Sequence, residues 1–267
     1  MYSIATLYQL RQRLGLAASE TADDARLLAA LQAAAAQIER AADRSFCPRI
    51  AAIQHSVNPK HTTELLLDDD LLELTSLANG DNSAISLSDV ITLPADGPIA
   101  VLRLAGGKAF IWDKTPVRAI TVTGKWGWHD RWTDAWRNTS DTAQNNPLSS
   151  SATTMTVVDA DGADAENELP RFQVGHLIRI DSEYLRVLAV NTGTNVLTVL
   201  RGVAGTTAAS HTQNTAIYTY QPALDVQMLH LRYAAWLYKE PDNRGFNSAP
   251  ADLVKGLANL RRLSVKV

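Results

Sequence analysis

The residues able to do chemistry are few, and each set lacks a partner or a spacing that the chemistry needs. Asp68, Asp69 and Asp70 form the densest acidic cluster. Three carboxylates can hold Ca²⁺ or Mg²⁺ when a loop folds them inward, but no D-x-D-x-D-G ligand spacing accompanies them, so a solvated turn after a strand is expected. Gly106-Gly107-Lys108 is followed by Ala109, where a phosphate-binding loop needs Ser or Thr, and reads as a turn. Cys47, His55 and His61 have no CxxC or HxxxH spacing to set a tetrahedral metal site. Asp181 and Glu183 fall at a predicted hairpin turn in open solvent, whereas a glycosidase pair needs a cleft between its carboxylates. No G-x-S-x-G elbow occurs. The expectation is a protein without catalytic residues, metal or cofactor, with a hydrolase built on scattered carboxylates the weakest of the rival readings.

The unusual composition lies between Lys125 and Trp136, a stretch holding Trp126, Trp128, Trp132 and Trp136, four of the chain's six tryptophans, with Arg131, Asp130 and Asp134 among them. Aromatic side chains beside Arg and Asp are characteristic of interface hot spots, because each ring buries a large area at small entropic cost. Trp126 and Trp128 either cap a core or face a partner. Trp132 and Trp136 are expected to touch a neighbouring subunit or domain.

The chain that must position these residues has 267 of them, 46% hydrophobic and 20% charged, which excludes wholesale disorder and allows one or two domains. A net charge of -3 argues against sequence-specific nucleic-acid binding. Residues 1–10 lack the basic and apolar regions of a signal peptide, and no stretch approaches a membrane span, so neither export nor a membrane is expected. One cysteine cannot form an internal disulfide and suits a reducing cytoplasm.

Helices are predicted over 6–14, capped by Gly15, and over 21–43, with Thr21 as N-cap and an inward stripe of Leu27, Leu28, Leu31, Ala35, Ile38 and Ala42. Strands are predicted over 53–57, 64–67, 72–77, 101–104 and 117–123, with an extended arm between Asn79 and Pro98. Residues 138–151 read as a linker, followed by strands over 153–158, 177–180, 184–190, 196–200 and 216–220. Pro222 opens a helix whose face is Leu224, Met228, Leu231, Ala235 and Tyr238, and a final amphipathic piece carries Leu253, Leu257, Leu260 and Leu263 with Arg261 and Arg262 near its end. The fold class is therefore α+β: a helical body with a small antiparallel β region, carrying an inserted all-β barrel or sandwich. The expected domains are 1–144 with 222–267 as a discontinuous body, and 145–221 as the insertion.

Several segments resemble the head-tail connector (adaptor, or head-completion) proteins of tailed bacteriophages. They are Thr6-Leu7-Tyr8-Gln9-Leu10 to Leu16, the alanine-rich helix running to Arg44-Ser45-Phe46, Leu65-Leu66-Leu67-Asp68-Asp69-Asp70-Leu71, Ile120-Thr121-Val122-Thr123-Gly124-Lys125-Trp126-Gly127-Trp128, and the helix from Pro222 to Tyr238. The resemblance covers residues 1 to 128 and 222 to 245, and departs from the family between Trp128 and Pro222. There, 179–185, 197–202 and 205–211 are similar to a small β module found in phage virion proteins. The resemblance implies a structural virion protein, assembled in the host cytoplasm: a ring of about twelve copies, joined by heterologous contacts. The ring would dock beneath the portal protein, contact a tail or stopper (nozzle) protein, and extend a channel through which DNA passes without sequence-specific binding. Residues 145–221 would reach a tail fibre or the capsid. Residues 242–267 are the candidate to reach the portal, anchored by Leu253, Leu257 and Leu260 with Arg261 and Arg262 alongside. A second reading makes the β module and the tryptophans a fibre-associated or carbohydrate-binding module.

Overall fold

A computed structural model describes residues 4–17, 19–239 and 251–262. Among these it contains four α-helices and two six-stranded antiparallel sheets, so the class is α+β. The chain divides into two compact units. One is residues 44–132; the other is made of the described residues before Arg44 and after Trp132.

The 44–132 unit is the first sheet, of order β1-β6-β2-β5-β4, with β3 paired to β2. Its strands are β1 (Arg49–His55), β2 (Glu64–Ala78), β3 (Ala84–Ile85), β4 (Val90–Leu93), β5 (Ile99–Leu104) and β6 (Ile120–Trp126). The two strands predicted over 64–67 and 72–77 are one, and Asp68 to Asp70 lie inside it rather than in a turn. At this point β2 exchanges partners. Residues 64–66 pair with β5, residues 73–78 pair with β6, and Leu71 faces both Ile99 and Trp126 across a bulge. Strand alternation then places Leu65, Leu67, Leu71 and Leu77 in a core with Leu102, Ile120, Val122 and Trp126. Part of the arm predicted after Asn79 is β3, a 3₁₀ turn at Leu87–Asp89, and β4.

Gly124 sits in β6 between β1 and β2, opposite Ala51 and Leu74. A Cβ there would lie 2.3 Å from the Glu73 carbonyl oxygen and 2.6 Å from Leu71 Cδ1. Because the clash is with backbone, Gly124→Ala is expected to destabilise this unit by about 2 kcal/mol or more, read as a lower urea midpoint with an unchanged slope.

The other unit holds all four helices and the second sheet. Helix α1 (Leu7–Leu14) starts in a reciprocal capping box between Thr6 and Gln9 and ends at Gly15 with φ +72°. Helix α2 (Asp24–Ala42) begins later than predicted: its N-cap is Asp23, whose side chain makes no capping bond, and Thr21 lies outside. The buried stripe is Leu27, Ala30, Leu31, Ala34, Ala35, Ile38 and Ala42, while Leu28, expected inside, is 41% exposed.

Helix α3 (Leu224–Lys239) is apolar almost all round, so its composition leaves its rotation open. The predicted face is buried only at Leu231, with Ala235 and Tyr238 intermediate. Leu224 is 69% and Met228 49% exposed, and Val226, Leu229, His230, Leu231, Tyr233 and Ala234 are inside. The choice is made by α2: His230 Nε2 lies 2.9 Å from the Leu31 carbonyl, Tyr233 hydrogen-bonds Gln37, and Tyr238 donates to Asp23 at 2.6 Å. Helix α4 (Ala251–Leu260) packs on α2 and α3 through Leu253 and Leu260, and the Arg262 amide donates to the Ala42 carbonyl at 2.7 Å.

The second sheet has the order β7-β12-β9-β10-β11-β8, with β7 (Trp136–Thr142), β8 (Thr154–Thr156), β9 (Leu177–Ile180), β10 (Glu183–Asn191), β11 (Val196–Leu200) and β12 (Ala216–Tyr220). It is an open path rather than the predicted barrel. The Asp141 carboxylate spans its ends, accepting from the Val158 amide at 2.8 Å and the Asp159 amide at 2.9 Å just beyond β8. The all-β segment thus begins at Trp136, within residues predicted as body and linker. Strand β7 buries Thr139 and Asp141 instead of apolar residues, which hid its alternation. The four helices fall in one unit with this second sheet, whereas the predicted division joined them to the first strands.

Candidate functional site

The structure separates the four clustered tryptophans and covers much of each. Trp126 is fully buried, donates Nε1–H to the Ala51 carbonyl at 2.9 Å, and stacks on His55 with ring centres 5.4 Å apart. Trp128 is half-buried, edge-on to Phe46 at 5.6 Å and beneath the Arg44 guanidinium at 5.3 Å. Trp132 is half-buried in a 3₁₀ turn at Trp132–Asp134. These three belong to the 44–132 unit. Trp136 belongs to the other, packed against Tyr184 at 4.9 Å and its cross-strand neighbour Tyr220 at 5.5 Å. The Arg179 guanidinium lies 4.8 Å from the Trp136 ring and 5.0 Å from that of Tyr218. The Trp126 and Trp136 rings, packed on their neighbours in this way, offer no open platform for stacking a sugar.

The C-terminal residues divide by helix face. Leu253 and Leu260 are buried against the chain's own helices, Leu257 is half-buried, Arg261 is exposed and Arg262 is intermediate. Residues 240–250 and Leu263 onward, part of the segment expected to reach a portal, lie outside the described residues.

Elsewhere several acidic side chains are tied to arginines. In the first sheet Asp69 pairs with Arg49 at 2.5 Å, and the Arg44–Asp70 pair stands at 3.7 Å. Cys47 is buried, and among the described residues no group of His, Cys, Asp and Glu is arranged to hold a metal. In the second unit the connection from β8 to β9 is clamped onto β7. Arg137 pairs with Asp164 and Glu168, each at 2.5 Å, and Arg171 reaches the Ser140 carbonyl at 3.1 Å and Asp141 at 3.5 Å.

The most concentrated polar site is one the spacing of residues did not suggest. Glu183, expected in open solvent, is 1% exposed at the start of β10. Its Oε1 accepts from Arg201 Nε at 2.7 Å and the Gly202 amide at 3.0 Å. Its Oε2 accepts from Arg201 Nη2 at 2.7 Å and the Ala209 amide at 3.0 Å, and lies 2.8 Å from His211 Nε2. His211 Nδ1 faces Asp181 at 2.8 Å, and Arg201 extends the network to the carbonyls of Ser149, Ala152 and Ala209. Burial pushes the Glu183 carboxyl up, but the hydrogen bonds from Arg201, the Ala209 amide, His211 and the Gly202 amide prevail and hold it at about 2. A carboxylate with its lone pairs so fully engaged is poorly placed to take a substrate proton. The arrangement is a clasp that fastens residues 201–211 to the sheet. Its members lie 18 and 28 positions from Glu183, a spacing set by strand pairing and carried by no local motif.

Neither models of known protein families nor curated proteins give a match to this chain. No helix among the described residues is long and apolar enough to cross a membrane.

Proposed function

We propose that this chain is a structural, non-catalytic subunit of a tailed-phage head-tail connector, forming an adaptor ring between the portal and the tail or next connector protein. The observation carrying this reading is that the two ends of the sequence that resemble the connector family pack on each other. Helix α3, which follows the departure from the family, lies on α2 through His230 and Leu31, Tyr233 and Gln37, and Tyr238 and Asp23. A chain whose resembling ends meet in this way can accommodate the stretch between Trp128 and Pro222, which departs from the family, as an insertion between them. The arginine clamps and the Glu183 clasp also suit a rigid building block, because they immobilise loops that a catalytic lid would need to move.

The test is light scattering and electron microscopy of the purified protein, alone and mixed with a tailed-phage portal protein. A closed ring of about twelve copies, or ring formation on the portal, is the expected result. A monomer at all concentrations that never joins a portal would overturn the proposal.

A further inference from the structure

A cleft of about 520 Å³ opens between α1, α3 and α4, with Arg13, Arg232 and Lys239 on its walls and Trp236 and Leu253 in its lining. Its charge runs against that of the chain. The protein as a whole carries -3, yet this concavity gathers three cations and one carboxylate, Asp252, which pairs with Arg232. Arg13 and Lys239 are exposed and form no ion pair among the described residues. The indole is held in place by Tyr233, stacked at 5.7 Å and inclined by 5°. Such a site offers two positive charges that are unpaired among the described residues, beside one half-buried indole in a mostly polar lining, which is the character of an aromatic and arginine hot spot.

We propose that this cleft binds an extended segment of a partner protein in which carboxylates alternate with large apolar side chains. The carboxylates satisfy Arg13 and Lys239, and the apolar side chains cover the half-buried Trp236. A nucleic-acid backbone fits less well, because the lining sets the Asp252 carboxylate among the cations and supplies a single indole that is already stacked on Tyr233. The inference does not depend on ring assembly, since every lining residue comes from one subunit.

The test uses fluorescence anisotropy of the full chain with a labelled hexapeptide alternating Glu and Leu. Saturable binding is expected, weakened about tenfold or more by the double change Arg13→Glu and Lys239→Glu, weakened by Trp236→Phe, and reduced by salt. Arg13 and Lys239 are surface residues, so the double variant retains its fold, which circular dichroism verifies. The proposal is overturned if the peptide does not bind, if a Gln-for-Glu peptide binds equally well, if the charge reversals change nothing, or if an oligothymidylate of equal charge binds more tightly. A monomer that never joins a portal yet binds the peptide would defeat the connector reading and leave this one standing.

Discussion

Glu183→Gln is expected to be among the most damaging single substitutions in the chain, lowering stability by about 3 kcal/mol or more. The amide keeps the size of the carboxylate but removes its charge, and its nitrogen cannot accept. Arg201 would remain 94% buried at its side chain facing a neutral group, and two of the donors now meeting Oε1 or Oε2 would meet an NH₂ instead. Leaving one charge of a buried pair uncompensated is what makes such breaks costly. The measurement is chemical denaturation followed by hydrogen exchange of residues 201–211, which should lose protection before the rest of the sheet. Arg201→Gln in the same background separates pair from parts: if the clasp acts as a unit, the double variant is much less destabilised than the sum of the singles. Full additivity, or a loss within 0.5 kcal/mol for Glu183→Gln, would show that the network contributes little.

Acid should weaken the same unit in two stages. His230 is fully buried with its Nε2 bonded to the Leu31 carbonyl, and burial holds it at about 4 against an ordinary 6.5; the Leu31 bond opposes this only in part. His176 is also held at about 4, by burial first and by the Arg137 charge second, against the opposing pull of Asp164. For both rings the folded state resists the proton that the unfolded chain accepts. Their contribution is therefore complete above pH 6.5 and is lost as pH falls from 6.5 towards 4, at about 1.4 kcal/mol for each unit by which a pKa is depressed. Glu183, held at about 2 against 4.5, has the depressed carboxyl's sign: its contribution stands above pH 4.5 and is lost between 4.5 and 2. Urea midpoints measured from pH 8 to pH 3 should begin to fall near 6.5. His230→Phe should flatten the upper part of that fall and leave the lower part, and a profile level down to pH 4.5 would contradict the assignment of both histidines.

Some features were legible because the cause is local. Gly15 ends α1 in the left-handed region, and the strands 177–180, 196–200 and 216–220 appear where alternation and turn residues place them. Others needed partners distant in sequence. Strand β7 reads as a linker because Thr139 and Asp141 take inward positions, acceptable only once the Thr139 hydroxyl finds the Ile217 carbonyl and Asp141 finds the amides beyond β8. The Trp126 to Trp136 cluster reads as one surface, yet its members are dealt between two units, since neighbours in sequence share a face only when they share an element.

The sequence by itself determined an α+β chain, the approximate limits of its helices, most of its strands and the absence of any spaced catalytic motif. Those properties follow from residue type and from periods of 3.6 and 2, which act over one or two turns of chain. Tertiary structure alone decided that β2 runs through the three aspartates, that α3 turns Leu224 and Met228 outward, that the helices share a unit with the second sheet, and that Glu183, Arg201 and His211 meet. In each case more than one local arrangement was open. The choice was made by partners far away along the chain, such as the Leu31 carbonyl for His230 and Arg201 for Glu183, which make burial of those polar groups tolerable.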